Sequence, residues 1–493
     1  MISQHLPALQ VVIPLLTAPL CLLFTNTRVA WVLSLVANGA ALVIAALLLQ
    51  QVLTAGVITY EMGGWAAPWG IEYRIDSVNA FVLLIVSAVG AVVLPFAPRS
   101  LAKEISEHRL NLFYTTYLLC LAGLLGIAAT GDAFNLFVFL EISSLSSYVL
   151  ISLGRDRRAL TAAFQYLIMG TIGATFILIG VGLLYMMTGT LNMADLAQRL
   201  PAVAETRTVA AALAFLTVGI SLKLALFPLH LWLPNAYAFA PSVVTAFIAA
   251  TATKVAVYML LRFLFTVFGP ALSFEAILLP TILLPVSLVA VFSASIVAIF
   301  QDNIKRMLAY SSVAQIGYMI LGLRFASVTG LTACILYLFN HALMKGGLFL
   351  ALGCIVYQLG GADISKFAGL GRRMPWTFAA IVVGGLSLIG VPLTVGFISK
   401  WYLVLAALES GQWWVAILIL IGSLLAVVYM WRIVEVAFFQ SAPRQGPRRQ
   451  EAPLSLLIPT WMLIGANIFF GINTDLTVGV AQRAAIWLLG GVS

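Results

Sequence analysis

Residues 134–150 read FNLFVFLEISSLSSYVL, a run otherwise fit for hydrocarbon with the carboxylate of Glu141 in its middle. An ionised group at the bilayer centre costs roughly 2.5–3.5 kcal/mol on insertion scales. Either the segment is not a membrane span, or Glu141 turns towards a polar interior; the remaining chain decides. Of the 493 residues, 62% are hydrophobic and 9% are charged. A soluble domain carries about 25% charged residues, so the chain reads as a polytopic membrane protein. Its Gly- and Leu-rich runs are helical rather than alternating, which excludes an outer-membrane barrel. The first lysine or arginine is Arg28, so the N-terminal run lacks the basic start of a secretory signal and reads as a retained span.

Apolar segments long enough to cross fall near 7–25, 30–53, 77–97, 109–129, 132–153, 160–187, 208–228 and 242–267. They continue near 275–300, 304–323, 328–357, 376–407, 412–438 and 454–472, which predicts about fourteen transmembrane helices. The last stretch, TVGVAQRAAIWLLGGVS, reads as a short amphipathic or partly inserted helix. Loops on one side carry Arg28, Arg99, Lys103, Arg109, Arg155, Arg157, Arg158, Lys305, Arg306, Lys366, Arg372, Arg373, Arg444, Arg448 and Arg449. Loops on the other carry only Arg74, Arg199, Arg207, Arg324 and Arg483. This asymmetry places both termini outside the cytoplasm. It also gives the net charge of +9 a topological use and argues against nucleic-acid binding. Cys21, Cys120, Cys334 and Cys354 stand singly in apolar runs and read as small hydrophobes.

The other basic residues, Lys223, Lys254, Arg262, Lys345, Lys400 and Arg432, fall inside or at the ends of spans. Glu141 has Ser144 and Tyr148 on its helical face, and reads as a proton-transfer site or as a protonated packing residue. Lys223 lies in SLKLALFPLHLWLP, where Pro228 breaks the helix and His230 follows. The spacing puts Lys223, Phe227 and His230 on one face, with snorkelling of the lysine to the interface as the alternative. Lys254 is nearer the middle of its span, with Thr251 and Tyr258 beside it. Tyr337, His341 and Lys345 follow one another at steps of four, a polar stripe along one helix. Ser311, Gln315 and Tyr318 form a row on the preceding span. Lys400 follows GVPLTVGFIS, where Pro392 and Gly396 interrupt a second long span. Arg432 and Glu435 fit an interfacial i, i+3 pair.

Two interrupted spans about five apart, each with a lysine near the break, match the pattern of inverted-topology repeats. Burial weakens a lysine's hold on its proton, and a nearby carboxylate strengthens it again. One carboxylate, four buried lysines and a histidine, joined by hydroxyls and water, therefore read as a series of switchable proton sites. No phosphate loop, metal cluster or nucleophile–base motif competes, and no cofactor or metal is expected.

The motifs FNLFVFLEISSLSSYVL, SLKLALFPLHLWLPNAYAFAPSVVTAFIAATATKVAVY, DNIKRMLAYSSVAQIGYM, FNHALMKGGLFL and GVPLTVGFISKWYL, running from about residue 70 to 440, resemble the antiporter-like subunits shared by respiratory complex I and Mrp-type cation/proton antiporters. The length and Lys400 are most similar to the D-type subunits of Mrp antiporters, although the smallest antiporter-like subunit of complex I also has lysine there. The resemblance implies fourteen helices with two inverted five-helix repeats. It divides the chain into 1–108 (three N-terminal helices), 109–270 (first repeat), 271–440 (second repeat) and 441–493 (C-terminal loop and final helix). It implies a Glu141–Lys223 pair in one half-channel, Lys254 as the link, and His341, Lys345 and Lys400 leading to the other side. Such subunits work in hetero-oligomeric membrane complexes with other hydrophobic chains. The leading expectation is thus a proton-translocating subunit of a bacterial inner-membrane Na⁺ or K⁺/H⁺ antiporter, not itself an enzyme. The alternatives are the pumping arm of complex I or of a membrane-bound hydrogenase, and a scaffold that conducts nothing.

Overall fold

The computed structural model describes residues 2–276, 279–440 and 451–490; Arg444, Arg448 and Arg449, counted above in a loop, lie outside the described residues. The chain opens with helices α1 (Leu6–Leu23) and α2 (Thr27–Ala55), followed by a small antiparallel ribbon of β1 (Ile58–Glu61) and β2 (Glu72–Ile75), which pair Ile58 with Ile75. Then come α3 (Ser77–Val93), α4 (Ala97–Glu104), α5 (Leu110–Ala129), α6 (Ala133–Ser152), α7 (Arg158–Thr188), α8 (Met193–Arg199), α9 (Arg207–Leu224), α10 (Trp232–Phe239) and α11 (Ser242–Leu261). The remainder is α12 (Leu279–Ile299), α13 (Ile304–Arg324), α14 (Val328–Leu359), α15 (Leu370–Arg373), α16 (Pro375–Ile389), α17 (Val395–Glu409), α18 (Trp413–Phe439), α19 (Leu454–Ile472) and α20 (Asp475–Leu488). Among the described residues, twelve helices are long and apolar enough to cross a membrane. The protein is a multi-pass, essentially all-helical membrane protein.

Polar residues start the helices, because the first N–H groups of a helix lack internal partners. Asp76 closes a capping box on α3, Asp132 accepts from Asn135 N at 2.7 Å to cap α6, and Asn303 accepts from Arg306 N at 3.1 Å to cap α13. Packing then depends on small residues that let backbones approach. A Cβ on Gly219 of α9 would lie 2.7 Å from the Gly173 carbonyl of α7, so the two helices touch through bare backbone. The centre of the molecule is α14, buried continuously from Gly330 to Ile355 and packed on α3, α11, α13, α16, α17, α19 and α20. Outward-facing side chains are as apolar as the core: Phe164, Leu420, Leu424 and Trp431 are all more than half exposed. Apolar surface of that kind belongs in lipid or against other membrane helices.

Two expected spans are interrupted differently from the sequence reading. The segment near 208–228 stops being helical at Leu224, where Ala225 takes a left-handed φ of 59°, before Pro228 is reached. Phe227 and His230 therefore do not continue the helical face of Lys223. They lie in the turn before α10. In the segment near 376–407 the break runs from Gly390 to Thr394, so Pro392 lies inside it but Gly396 is already in α17. Gly390 has φ 92°, and a Cβ there would stand 2.8 Å from Lys400 Cδ, so only glycine fits. The four cysteines are free and buried. Most of the last stretch lies in α20, which ends at Leu488 and packs on α3 and α14.

Candidate functional site

Glu141 lies on the ninth residue of α6 and reaches across to α9, where Lys223 Nζ stands 3.9 Å from Glu141 Oε1. The lysine is 6% exposed, whereas the carboxylate side chain keeps 29% exposure, so Glu141 borders the molecular surface rather than a closed interior. Ser144, one turn along α6, accepts from Lys223 Nζ at 2.8 Å. Tyr148 packs edge-on to Tyr166, and its hydroxyl fills the space that a Cβ on Gly170 would take. Lys223 sits next to the last residue of α9, where carbonyls lose their helical partners. Trp232 Nε1 takes up one of these, donating to the Leu222 carbonyl at 3.0 Å. His230 stacks on Phe227 and meets Tyr310 of α13 edge-on, which links the first break to the second half of the chain.

Lys254 is fully buried on α11 and donates to the Ala249 carbonyl and to Thr253 Oγ1. Thr251 and Tyr258 are also buried, but Tyr258 turns its hydroxyl to the Ala128 carbonyl at 3.1 Å. Across from α11, α14 presents Tyr337, His341 and Lys345, all fully buried. His341 stands one turn before Lys345 on α14, which packs along α11, the helix that carries Lys254. Lys345 Nζ donates to the Leu308 carbonyl of α13 at 2.8 Å and to Ser311 Oγ. Tyr318, two turns beyond Ser311, stacks on Tyr337 with ring centroids 6.1 Å apart. Gln315 is buried between them along α13. The same Tyr318 ring lies 5.2 Å from Lys400 Nζ.

Lys400, on α17, turns its side chain back to the second break. Its amine donates to the Leu388 and Ile389 carbonyls at the end of α16, at 3.2 and 2.7 Å, and to Ser423 Oγ of α18 at 2.8 Å. These carbonyls form the negative end of the α16 dipole, which favours a cation. Asn340 holds the start of α17 by donating to the Val395 carbonyl at 2.9 Å and to Ser399 Oγ at 2.7 Å. The structure thus gathers Lys254, His341 and Lys345 at the centre, with Glu141–Lys223 and Lys400 at two helix breaks.

Three pairs escaped the sequence reading. Arg262, at the end of α11, binds Asp76 at 2.8 Å with both side chains nearly inaccessible. Lys305, read as a loop charge, is buried and lies 3.9 Å from Glu104. Arg432 pairs with Asp302 at 2.7 Å and with the Ile299 and Gln301 carbonyls, rather than with Glu435. The visible signals were Asp76, an acid in a capping-box spacing at a span's mouth, and Glu104, an acid within a basic loop. Among the described residues no group of three or more His, Cys, Asp or Glu could hold a metal ion.

A family model described as NADH:quinone oxidoreductase/Mrp antiporter, TM, matches residues 130–426. NADH-quinone oxidoreductase subunit N of Desulforudis audaxviator is 42% identical, covering 99% of this chain and all of that protein. The D-type subunit of a Na(+)/H(+) antiporter from Alkalihalophilus pseudofirmus is 31% identical, covering 96% of this chain and 94% of that one. A chain of the membrane-bound sulfane sulfur reductase, an archaeal respiratory membrane complex, superposes with a TM-score of 0.90 at 31% identity, covering 99% of this chain and 98% of its own length.

Proposed function

This chain belongs to the NADH:quinone oxidoreductase/Mrp antiporter transmembrane family, and on that premise we propose that it is the proton-translocating, antiporter-like subunit of a respiratory redox complex. The observation that carries the reading is the amine of Lys223, buried at a helix break beside the Glu141 carboxylate. Lys254, Lys345 and Lys400 continue the series through hydroxyls and carbonyls. Protons pass along it through Glu, Lys, His and water; electron transfer belongs to partner chains, and this subunit has no active site of its own. The greater identity to a quinone oxidoreductase subunit than to a Na⁺/H⁺ antiporter subunit shifts the weight from the antiporter expected above to its redox alternative. The Mrp-type reading, with Na⁺ or K⁺ exchanged for H⁺, keeps the support of the 31% likeness to that antiporter subunit.

In this reading the chain has fourteen transmembrane helices: the twelve long apolar ones, the more polar α13, and the broken α16–α17. Residues 109–270 and 271–440 are two inverted repeats, following 1–108 and preceding 441–493. Both termini lie outside the cytoplasm in a bacterial inner membrane. The partial exposure of Glu141 fits a neighbouring hydrophobic subunit seated against α6.

The test is purification of the intact complex and measurement of proton translocation in everted vesicles. Co-purification with iron–sulfur subunits and acidification driven by electron transfer are expected. Recovery with small hydrophobic subunits alone, and cation-driven exchange, would return the Mrp reading. Glu141→Gln and Lys223→Met should each lower translocation at least roughly tenfold in assembled complex. Wild-type rates in those variants would remove both residues from the path.

A further inference from the structure

A cavity of about 600 Å³ opens where α4, the turn before α7, the α10–α11 corner, the start of α13 and the end of α14 meet. Two charged groups on its wall are withdrawn from solvent: Lys305 is 5% exposed and Glu104 15%. Glu104 Oε2 accepts from Ser242 N at 2.8 Å and from Ser242 Oγ at 3.0 Å, while Oε1 accepts from Ser100 Oγ at 2.6 Å. Lys305 Nζ donates to the Ala240 carbonyl at 3.1 Å, the cap of α10, and lies 3.9 Å from Glu104 Oε2. The carboxylate therefore stands on the first turn of the helix that carries Lys254. The amine stands on the helix whose Leu308 carbonyl and Ser311 hydroxyl hold Lys345. Leu308 is one turn from Lys305, about 4.5 Å along the axis.

Helix capping alone does not call for this chemistry, since a serine or threonine caps as well without a buried charge. The other charged groups at the cavity are engaged or more exposed. Lys103 donates to the Tyr357 carbonyl at 2.5 Å and covers its ring, and Arg155 donates to the Ile105 carbonyl at 3.1 Å. Arg158 pairs with Asp156, Asp363 accepts from Asn303 at 3.3 Å, and Lys366 is exposed. Only Glu104 and Lys305 combine burial and opposite charge with contact to the elements that carry or hold the central amines, Glu104 through its hydrogen bonds to Ser242 at the start of α11 and Lys305 through its place on α13 one turn before Leu308.

We propose that Glu104 and Lys305 collect protons from the cavity and feed them to Lys345 and Lys254; this rests on the proton-translocating reading above. A hydronium ion gives its proton to a Glu104 carboxylate oxygen and leaves as water. Lys305 passes a proton inward and, as the neutral amine, takes the one held by Glu104. Both groups then regain their starting charge, with one proton moved and nothing oxidised or reduced.

The experiment uses the whole complex in vesicles, energised by electron transfer or by a cation gradient, whichever it supports. Glu104→Gln should lower translocation at least roughly tenfold at alkaline pH, where protons are scarce, and less at acid pH. Glu104→Asp should restore the wild-type profile, a recovery that a purely structural cap would not tie to pH. In a second arm, Ala102→Cys places a thiol on the exposed cavity wall, while the four native cysteines are buried. A membrane-impermeant cationic methanethiosulfonate applied on that face should block translocation, whether or not Glu104→Gln assembles. A Glu104→Gln pH profile that overlays wild type, or full labelling of the introduced thiol without inhibition, would overturn the proposal. Glu141→Gln is the control: if it stops translocation while the cavity variants do not, only the inlet fails. If it too leaves translocation intact, the reading beneath it fails.

Discussion

The buried cations of this protein fall into two regions that solve the same problem differently. Lys223, Arg262 and Lys305 each face a carboxylate, at 3.9, 2.8 and 3.9 Å. Their partners Glu141, Asp76 and Glu104 all come from the N-terminal part of the chain. Lys254, Lys345 and Lys400, gathered around α14, meet only carbonyl and hydroxyl oxygens in their hydrogen bonds. A carboxylate neutralises a cation but is left stranded if that cation loses its proton. A carbonyl accepts from –NH₃⁺ and, more weakly, from –NH₂, so an amine held this way keeps hydrogen-bond partners in either state without stranding a charge. In the paired region an amine that gives up its proton must pass it to the facing carboxylate or leave that carboxylate uncompensated, whereas in the central region, on the proton-translocating reading, an amine changes charge without changing partners. Arg262–Asp76 is the extreme of the first kind, because a guanidinium does not give up its proton.

The largest effect that would break this contrast belongs to Arg262. Arg262→Ala leaves Asp76, 1% exposed, as an uncompensated buried charge, which destabilises by about 3–5 kcal/mol. We expect little assembled complex, and recovery of assembly and thermal stability when Asp76→Asn is added. An Arg262→Ala protein as stable as wild type would show that the pair is no anchor. The next largest effect is functional. Lys254→Met and Lys345→Met keep the shape of fully buried side chains while removing a charge that faces no carboxylate, so no buried ion is left uncompensated. Thermal stability should therefore be kept while vesicle translocation falls at least roughly tenfold. Loss of assembly in both variants would place these lysines with the anchors.

Much of this arrangement was legible in the chain itself. Glu141, Lys223, Lys254, Lys345 and Lys400 stand out because a charge within an apolar run has few bland explanations. The helix stripe of Tyr337, His341 and Lys345 followed from spacing alone, since one helix fixes their mutual geometry. What spacing could not give was partnership across helices. Glu104 and Lys305 are about two hundred residues apart, and each alone looks like a loop charge. Arg432 had a plausible neighbour in Glu435, yet its guanidinium reaches Asp302 and the last carbonyls near α12 instead. The first break was misplaced for a related reason: Pro228 is the obvious breaker, but the chain turns earlier, at Ala225, where Trp232 can reach back to the Leu222 carbonyl.

The smallest expected effect sharpens the contrast most. Lys223 and Lys400 each donate to one serine at 2.8 Å, Ser144 in one case and Ser423 in the other. Removing either hydroxyl takes away a hydrogen bond to a charged group, worth about 1.5–3 kcal/mol. At Lys400 two carbonyls remain, at 3.2 and 2.7 Å, so the amine keeps its place and its freedom to exchange. At Lys223 the nearest remaining acceptor is Glu141, now at 3.9 Å, so the amine moves onto the carboxylate and the loose pair becomes a close one. A close ion pair resists the separation that proton transfer needs. Ser144→Ala should therefore slow translocation by about fivefold and Ser423→Ala by about twofold, both small against the tenfold that about 1.4 kcal/mol represents. Ser144→Thr, which keeps the hydroxyl, should run near the wild-type rate. Initial rates in vesicles decide it: equal slowing by the two alanine variants would mean that the carboxylate makes no difference to its lysine, and the two regions would be one.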